Sequence, residues 1–258
     1  MVAMKYSKII FFMMGMLAAA TVMAQSDMPQ TWFEEGNAAY NEGNYDLALE
    51  KYGHIVDFGV ESAPLYYNMG NTYYKQRNYP LSILYYEKAL KLDPGNEDIR
   101  TNLEIANLAV SDKIEKLPEP FYTRWWNSLK SLLSADGWAW VSIVAFALTL
   151  LCLYLFLMAR RAGLRKAGFF AGLLMVLALA FSITLAIENK TGLSRQDQAI
   201  ITQPTVTVKS SPSTSGVDLF VLHEGSKVKI LDRSMEWNKI RIADGSEGWL
   251  QADDMIAF

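Results

Sequence analysis

The chain has 258 residues, 51% hydrophobic and 20% charged, with a formal net charge of −3. Its one cysteine, Cys152, excludes an intramolecular disulfide, a CxxC redox pair and a cysteine cluster for zinc. The apolar residues are concentrated in three blocks, and no stretch between them much exceeds about 100 residues, so each soluble part is a small module.

The first block opens the chain. Lys5 and Lys8 precede an apolar run from Ile9 to Ala20, and small residues at Val22 and Ala24 end it. This order predicts a signal peptide over 1–24, cleaved before Gln25. The run is short for a hydrocarbon core of roughly 30 Å, which disfavours an uncleaved anchor helix.

The chain then repeats itself. Trp32-Phe-Glu-Glu-Gly36-Asn37-Ala-Ala-Tyr40 returns 34 residues later as Tyr66-Tyr-Asn-Met-Gly70-Asn71-Thr-Tyr-Tyr74, and Asn44-Tyr45 and Tyr52 return as Asn78-Tyr79 and Tyr86. A period of 34 is that of the tetratricopeptide repeat, a helix pair that stacks into an α-solenoid. The predicted domain is 25–120, with repeats at 29–62 and 63–96 and a capping helix over 97–116. Gly36 and Gly70 are expected where paired helices cross, against Ala48 and Ser82. The family binds peptides along a concave face, and Asn37, Asn41, Asn68, Asn71 and Lys75 hold the positions that line it. Asn37 and Asn68 match two asparagines of the family's dicarboxylate clamp, but Phe33, Asp98 and Asn102 stand where its cations belong, which argues against an acidic C-terminal ligand. Residues 25–120 carry 16 acidic and 8 basic side chains, so nucleic acid is repelled and a basic partner favoured.

Aromatics and leucines at helical spacing over 121–134, with Trp125 and Trp126, predict an interfacial helix. Two uncharged runs of 21 residues follow, 138–158 and 167–187. At 1.5 Å per residue each makes a helix of roughly 31 Å, enough to span a bilayer. The connection 159–166 holds Arg160, Arg161, Arg165 and Lys166 and no acid, so the positive-inside rule places it in the cytoplasm and both soluble segments outside. Gly168-x-x-x-Gly172 suits close packing of the hairpin's two helices against each other, the alternative being a face for dimerisation with a second chain. Neither run holds an ionisable side chain for a transport pathway.

The segment 198–258 alternates apolar and polar residues, as in Thr205–Lys209, Lys227–Leu231 and Lys239–Ile242, with turns at Ser210–Ser213, Glu224-Gly225 and Asp244-Gly245. Five or so short strands in this length make a small all-β barrel. The order Val208-Lys-Ser-Ser-Pro-Ser213, Gly225-x-x-Val228, Trp237-x-Lys-Ile240 and Asp244-Gly-x-x-Gly248-Trp249 resembles the bacterial SH3 family, with Lys209 where arginine is common. His54 and His223, the two histidines, stand far apart in sequence and are expected to be surface or structural residues. No residue pattern points to catalysis, a metal or another cofactor.

Signal peptide, repeats, tryptophan-rich linker, two spans and SH3 barrel, with the stretch Phe220-Val-Leu-His-Glu-Gly-Ser-Lys-Val228, together resemble the BatE type of Bacteroides aerotolerance proteins. The signal peptide, the two spans and the basic connection already predict a multidomain inner-membrane protein with both soluble domains periplasmic; the resemblance implies a function in envelope integrity. The resemblance also implies a place in an assembly with von Willebrand A-domain Bat proteins and a MoxR-type ATPase, and a link to oxygen or stress tolerance. The leading expectation is a non-enzymatic scaffold held to the lipid bilayer and gripping membrane protein partners. The alternative is a wall sensor or tether whose barrel binds peptidoglycan peptides. The orientation is tested with cysteines introduced at Asn41, Gly163 and Ser213. In spheroplasts an impermeant maleimide should label positions 41 and 213 and leave 163 and native Cys152 unlabelled; labelling of 163 without 213 means an inverted hairpin.

Overall fold

The computed structural model describes residues 28–115, 117–118 and 120–258. The expected signal peptide, 1–24, lies outside them. The repeat region folds into helices α1 (28–41), α2 (Tyr45–Asp57), α3 (Ala63–Lys75), α4 (Tyr79–Leu92) and α5 (Glu97–Asn107). Each start is marked in the sequence. The side chains of Asn44, Ser62, Asn78 and Asn96 accept from backbone N–H groups of the first turns they precede, and Pro64 and Pro80 sit in first turns. The turns between paired helices also repeat, with Gly43 at φ +79° and Arg77, one period on, at φ +63°.

The helix crossings are set by glycine against tyrosine. A Cβ on Gly36 would lie 2.5 Å from the Tyr52 ring, and one on Gly70 would lie 2.6 Å from the Tyr86 ring. The rings are what the glycines admit, and Ser82, expected at the second crossing, lies there as well, donating to the Gly70 carbonyl at 2.9 Å. Tyr52 and Tyr86 are almost wholly buried, in a core with Ala48, Ile83, Leu65 and Ala89. Burial pushes the Tyr52 hydroxyl up to about 12, against a smaller lowering by its bond with Asn68, and burial beside Tyr73 pushes Tyr85 up to about 12. The capping helix is shorter than the 97–116 read from sequence. It ends at Asn107, and from 108 to 115 the chain leaves the helix to bury Val110 in the repeat core and pack Ile114 against the barrel.

Helix α6 (Phe121–Lys130) leads into α7 (Ala135–Met158) and α8 (Ala162–Ser194), both long and apolar enough to cross a membrane. The two lie antiparallel, and a Cβ on Gly168 would approach the Phe156 N to 2.9 Å, so the glycine is what permits this crossing. Ser142 and Ser182 share a 2.9 Å hydrogen bond between the helices. At the other end Asn189 donates to the carbonyls of Lys130 (3.2 Å) and Leu133 (3.1 Å), and Trp126 donates to Glu188 at 3.1 Å. These bonds tie α6 to the exit of α8, so the soluble parts before and after the hairpin emerge at the same end.

The C-terminal part is one antiparallel sheet of seven strands, two more than expected: β1 (Gln198–Ile201), β2 (Thr205–Lys209), β3 (Asp218–His223), β4 (Lys227–Ser234), β5 (Trp237–Arg241), β6 (Glu247–Gln251) and β7 (Met255–Ala257), in the order β3-β2-β6-β5-β4-β1-β7. Alternate residues Val206 and Val208, Val228 and Ile230, and Asn238 and Ile240 point inward. Gly248 is required where β6 passes β2, since a Cβ there would strike the Val208 side chain. Lys209 pairs with Asp218 across the β2–β3 register shift.

The barrel does not stand apart from the repeats. Ile200 and Phe258 are buried in the repeat core, Gly225 turns against Val110 and Ile83, and Lys227 pairs with Glu87 at 2.7 Å. Leu117 donates its N–H to the Ala243 carbonyl at 3.1 Å. Repeats and barrel pack as one body, and the helical hairpin is an insertion within it.

Two stability measurements check this packing. Gly70→Ala should destabilise the chain by about 1–3 kcal/mol, because the new methyl meets the Tyr86 ring. Gly53→Ala, mid-helix with nothing within 4 Å of its added Cβ, should stabilise by about 0.5–1 kcal/mol. Equal melting shifts for the two would mean the crossing is not as described. Alkaline titration gives the second. The Tyr52 and Tyr85 hydroxyls hold their protons more tightly in the folded than in the unfolded chain, so their contribution is full below pH 10 and is lost as pH rises toward about 12. The melting temperature should fall over that window, and less steeply in Tyr85→Phe.

Candidate peptide-binding cleft

The first helices of the repeats, α1, α3 and α5, form the concave side, and one hydrogen-bond pattern runs along it twice. Tyr52 donates its hydroxyl to the Asn37 Oδ1 at 2.8 Å, and Asn68 Nδ2 donates to the same oxygen at 2.8 Å. One period later Tyr86 donates to the Asn71 Oδ1 at 2.7 Å and Asn102 Nδ2 donates to it at 3.1 Å. Each tyrosine thus brings a hydroxyl from the core to the concave surface, and each asparagine pair joins successive first helices. Burial, the largest influence, raises the Tyr86 hydroxyl, so it stays a donor.

Beside the second rung opens a cleft of about 340 Å³. Tyr40, Tyr67 and Tyr74 wall it, Asn71 and Asn102 form the polar floor, and Lys75 and Ile105 stand at its edge. Burial also raises the Tyr40 hydroxyl, with Tyr45 and Tyr67 adding to it. Asn102 Nδ2 donates to the Tyr67 hydroxyl at 2.8 Å, which leaves that oxygen's own hydrogen directed elsewhere. Among the described residues Lys75 has no ion-pair or hydrogen-bond partner. The cleft therefore offers aromatic faces, amide groups and one cation.

Of the residues singled out from sequence, Asn71 and Lys75 come together here. Asn37 and Asn68 form the neighbouring rung, with the Asn37 oxygen already engaged, and Asn41 is exposed and does not line the cleft. The sequence gives no sign of the tyrosine walls or Ile105, and it places Asn102 at a clamp position only as a residue standing where a cation belongs. A signal for Asn102 was present: it lies one period after Asn68, as Asn71 does after Asn37, which makes α5 the first helix of a third, unfinished repeat.

A serine, a histidine and an aspartate meet elsewhere, between repeats and barrel. The Asp112 Oδ1 contacts His223 Nδ1 at 2.7 Å, while its Oδ2 accepts from the His223 N–H at 2.8 Å and from the Ser226 hydroxyl at 2.5 Å. Burial raises the Asp112 carboxyl, but the Ser226 and His223 hydrogen bonds outweigh it and hold it below the usual carboxylate range. The serine gives its proton to the carboxylate, not to the imidazole, so the group has no activated nucleophile and acts as an interdomain tie. His54 lies 3.7 Å from Glu50 and against the Trp32 ring. Among the described residues no cluster of three or more histidine, cysteine or acidic side chains could hold a metal.

Residues 63–96 match the tetratricopeptide repeat family, and residues 204–255 match the bacterial SH3 domain family. None of the curated proteins matches the chain. Similar solved structures include a TPR repeats protein from Bacteroides fragilis NCTC 9343, 15% identical, aligned over 64% of this chain and 96% of that one with a TM-score of 0.22. That score is too low to bear on the arrangement of this chain. The two domain matches do bear on it: the chain carries a protein-interaction repeat and a bacterial SH3 domain, a pairing that fits a scaffold.

Proposed function

We propose that the chain is a non-enzymatic membrane scaffold whose concave cleft holds an extended segment of a protein neighbour, within a Bat-type stress-tolerance assembly. The observation that carries this reading is the cleft itself. Its tyrosine faces can stack on side chains, its amides can pair with a peptide backbone, and Lys75 is left for a carboxylate or carbonyl. A groove fixed by the Asn–Tyr rungs is pre-organised, which lowers the entropy lost on binding. The uncharged faces of α7 and α8 are read as bilayer spans, with the basic connection on the cytoplasmic side and both soluble modules in the periplasm. The shared exit of the hairpin supports that arrangement.

The test compares two surface variants of the full chain by co-purification from detergent-solubilised native membranes. Lys75→Glu with Ile105→Asp alters the cleft at side chains that support no buried contact, so melting should be unchanged. Loss of interface contacts of about 1–2 kcal/mol or more should weaken partner recovery roughly tenfold. Leu219→Glu with Val221→Glu alters the exposed face of β3 and should leave recovery intact. If the β3 pair loses the partners and the cleft pair keeps them, the barrel is the binding site and the cleft reading is wrong.

A further inference from the structure

The end of the hairpin away from the soluble modules carries a second recess, of about 520 Å³, lined by Phe156, Ala162, Arg165, Lys166, Phe169 and Phe170. Its walls are aromatic and fixed by one another. The Phe156 and Phe169 rings lie 5.8 Å apart, and Phe169 and Phe170 meet edge to face at 5.4 Å. The Arg165 guanidinium sits 5.8 Å over the Phe156 ring, which anchors one face of the group and leaves its N–H edge to other partners. Among the described residues neither Arg165 nor Lys166 has a carboxylate partner. Across 159–166 there are four cations and no acid, so nothing nearby in sequence balances them.

An unbalanced pair of cations above an apolar aromatic recess has a chemical complement. The ligand must present a phosphate to Arg165 and Lys166 and hydrocarbon to the three phenylalanines. A diacyl lipid with an anionic headgroup does both; a free phosphate satisfies only the cations. We propose that this recess is a binding site for an anionic phospholipid, with Arg165 and Lys166 holding the headgroup phosphate. The site rests on the reading of α7 and α8 as bilayer spans. Such a lipid would also hold the basic end of the hairpin at its own leaflet.

The full chain is reconstituted in nanodiscs of phosphatidylcholine doped with phosphatidylglycerol, and the lipids retained on release are identified by native mass spectrometry. Wild type should retain phosphatidylglycerol in preference to phosphatidylcholine. Arg165→Gln with Lys166→Gln should retain about tenfold less or lower, whereas Arg160→Gln with Arg161→Gln, the same charge removed outside the recess, should retain it. Equal losses in the two pairs, or none in the first, overturn the site. Displacement of the lipid by inorganic phosphate overturns the lipid assignment. A chain that does not enter the discs overturns the bilayer reading and the site with it, while one that enters and shows no lipid preference overturns the site alone.

Discussion

A tyrosine can be buried at a helix crossing only if its hydroxyl finds a partner, and the repeats meet that need twice in one way. Gly36 and Gly70 admit the rings of Tyr52 and Tyr86, and Asn37 and Asn71 accept their hydroxyls. The same asparagine oxygens accept from Asn68 and Asn102, so the bond that satisfies the core also fixes the spacing of α1, α3 and α5. The concave cleft is a consequence of the core packing. Removing either asparagine would leave a buried hydroxyl without its acceptor, so loss of binding in such a variant would not separate recognition from folding.

The apolar part of the barrel's attachment uses residues that the SH3 family match leaves out, while its polar ties, at His223, Ser226 and Lys227, fall inside the match. The match covers 204–255, but Ile200 on β1 and Phe258 just beyond β7 are the side chains buried in the repeat core. β1 and β7 pair with each other at one edge of the sheet and extend the barrel toward α4. Asp112 adds a polar tie at the turn between β3 and β4, through His223 and Ser226. An exposed edge strand invites pairing with other chains, and here the β1–β7 edge lies against the repeats.

Much of this was legible in the sequence because its signals are local. The 34-residue period located the helix pairs, the glycines marked the crossings, and alternation with turn residues located β2, β4 and β5. The rest depends on contacts distant in sequence. How closely the Tyr86 ring approaches Gly70, with Ser82 beside it, is set by the crossing of α3 and α4 and by nothing in the residues next to Gly70. Asp112 lies in a segment read as helix, and its partners are more than a hundred residues away. The asparagines read as open peptide-binding groups are only partly so, because acceptor use by a tyrosine from another helix has no signature in the asparagine's own surroundings. Asn102 is the exception: the sequence puts it at a clamp position, and one more step of the repeat shows it also continues the asparagine rungs.

The central claim is that the cleft beside Tyr67 and Asn71 is where this chain holds its partner. The direct measurement is site-specific photo-crosslinking in native membranes, with a photoreactive side chain placed at Lys75 or at Val221. The account predicts a discrete adduct with a membrane protein from position 75 and none from position 221. An adduct from 221 alone would contradict it.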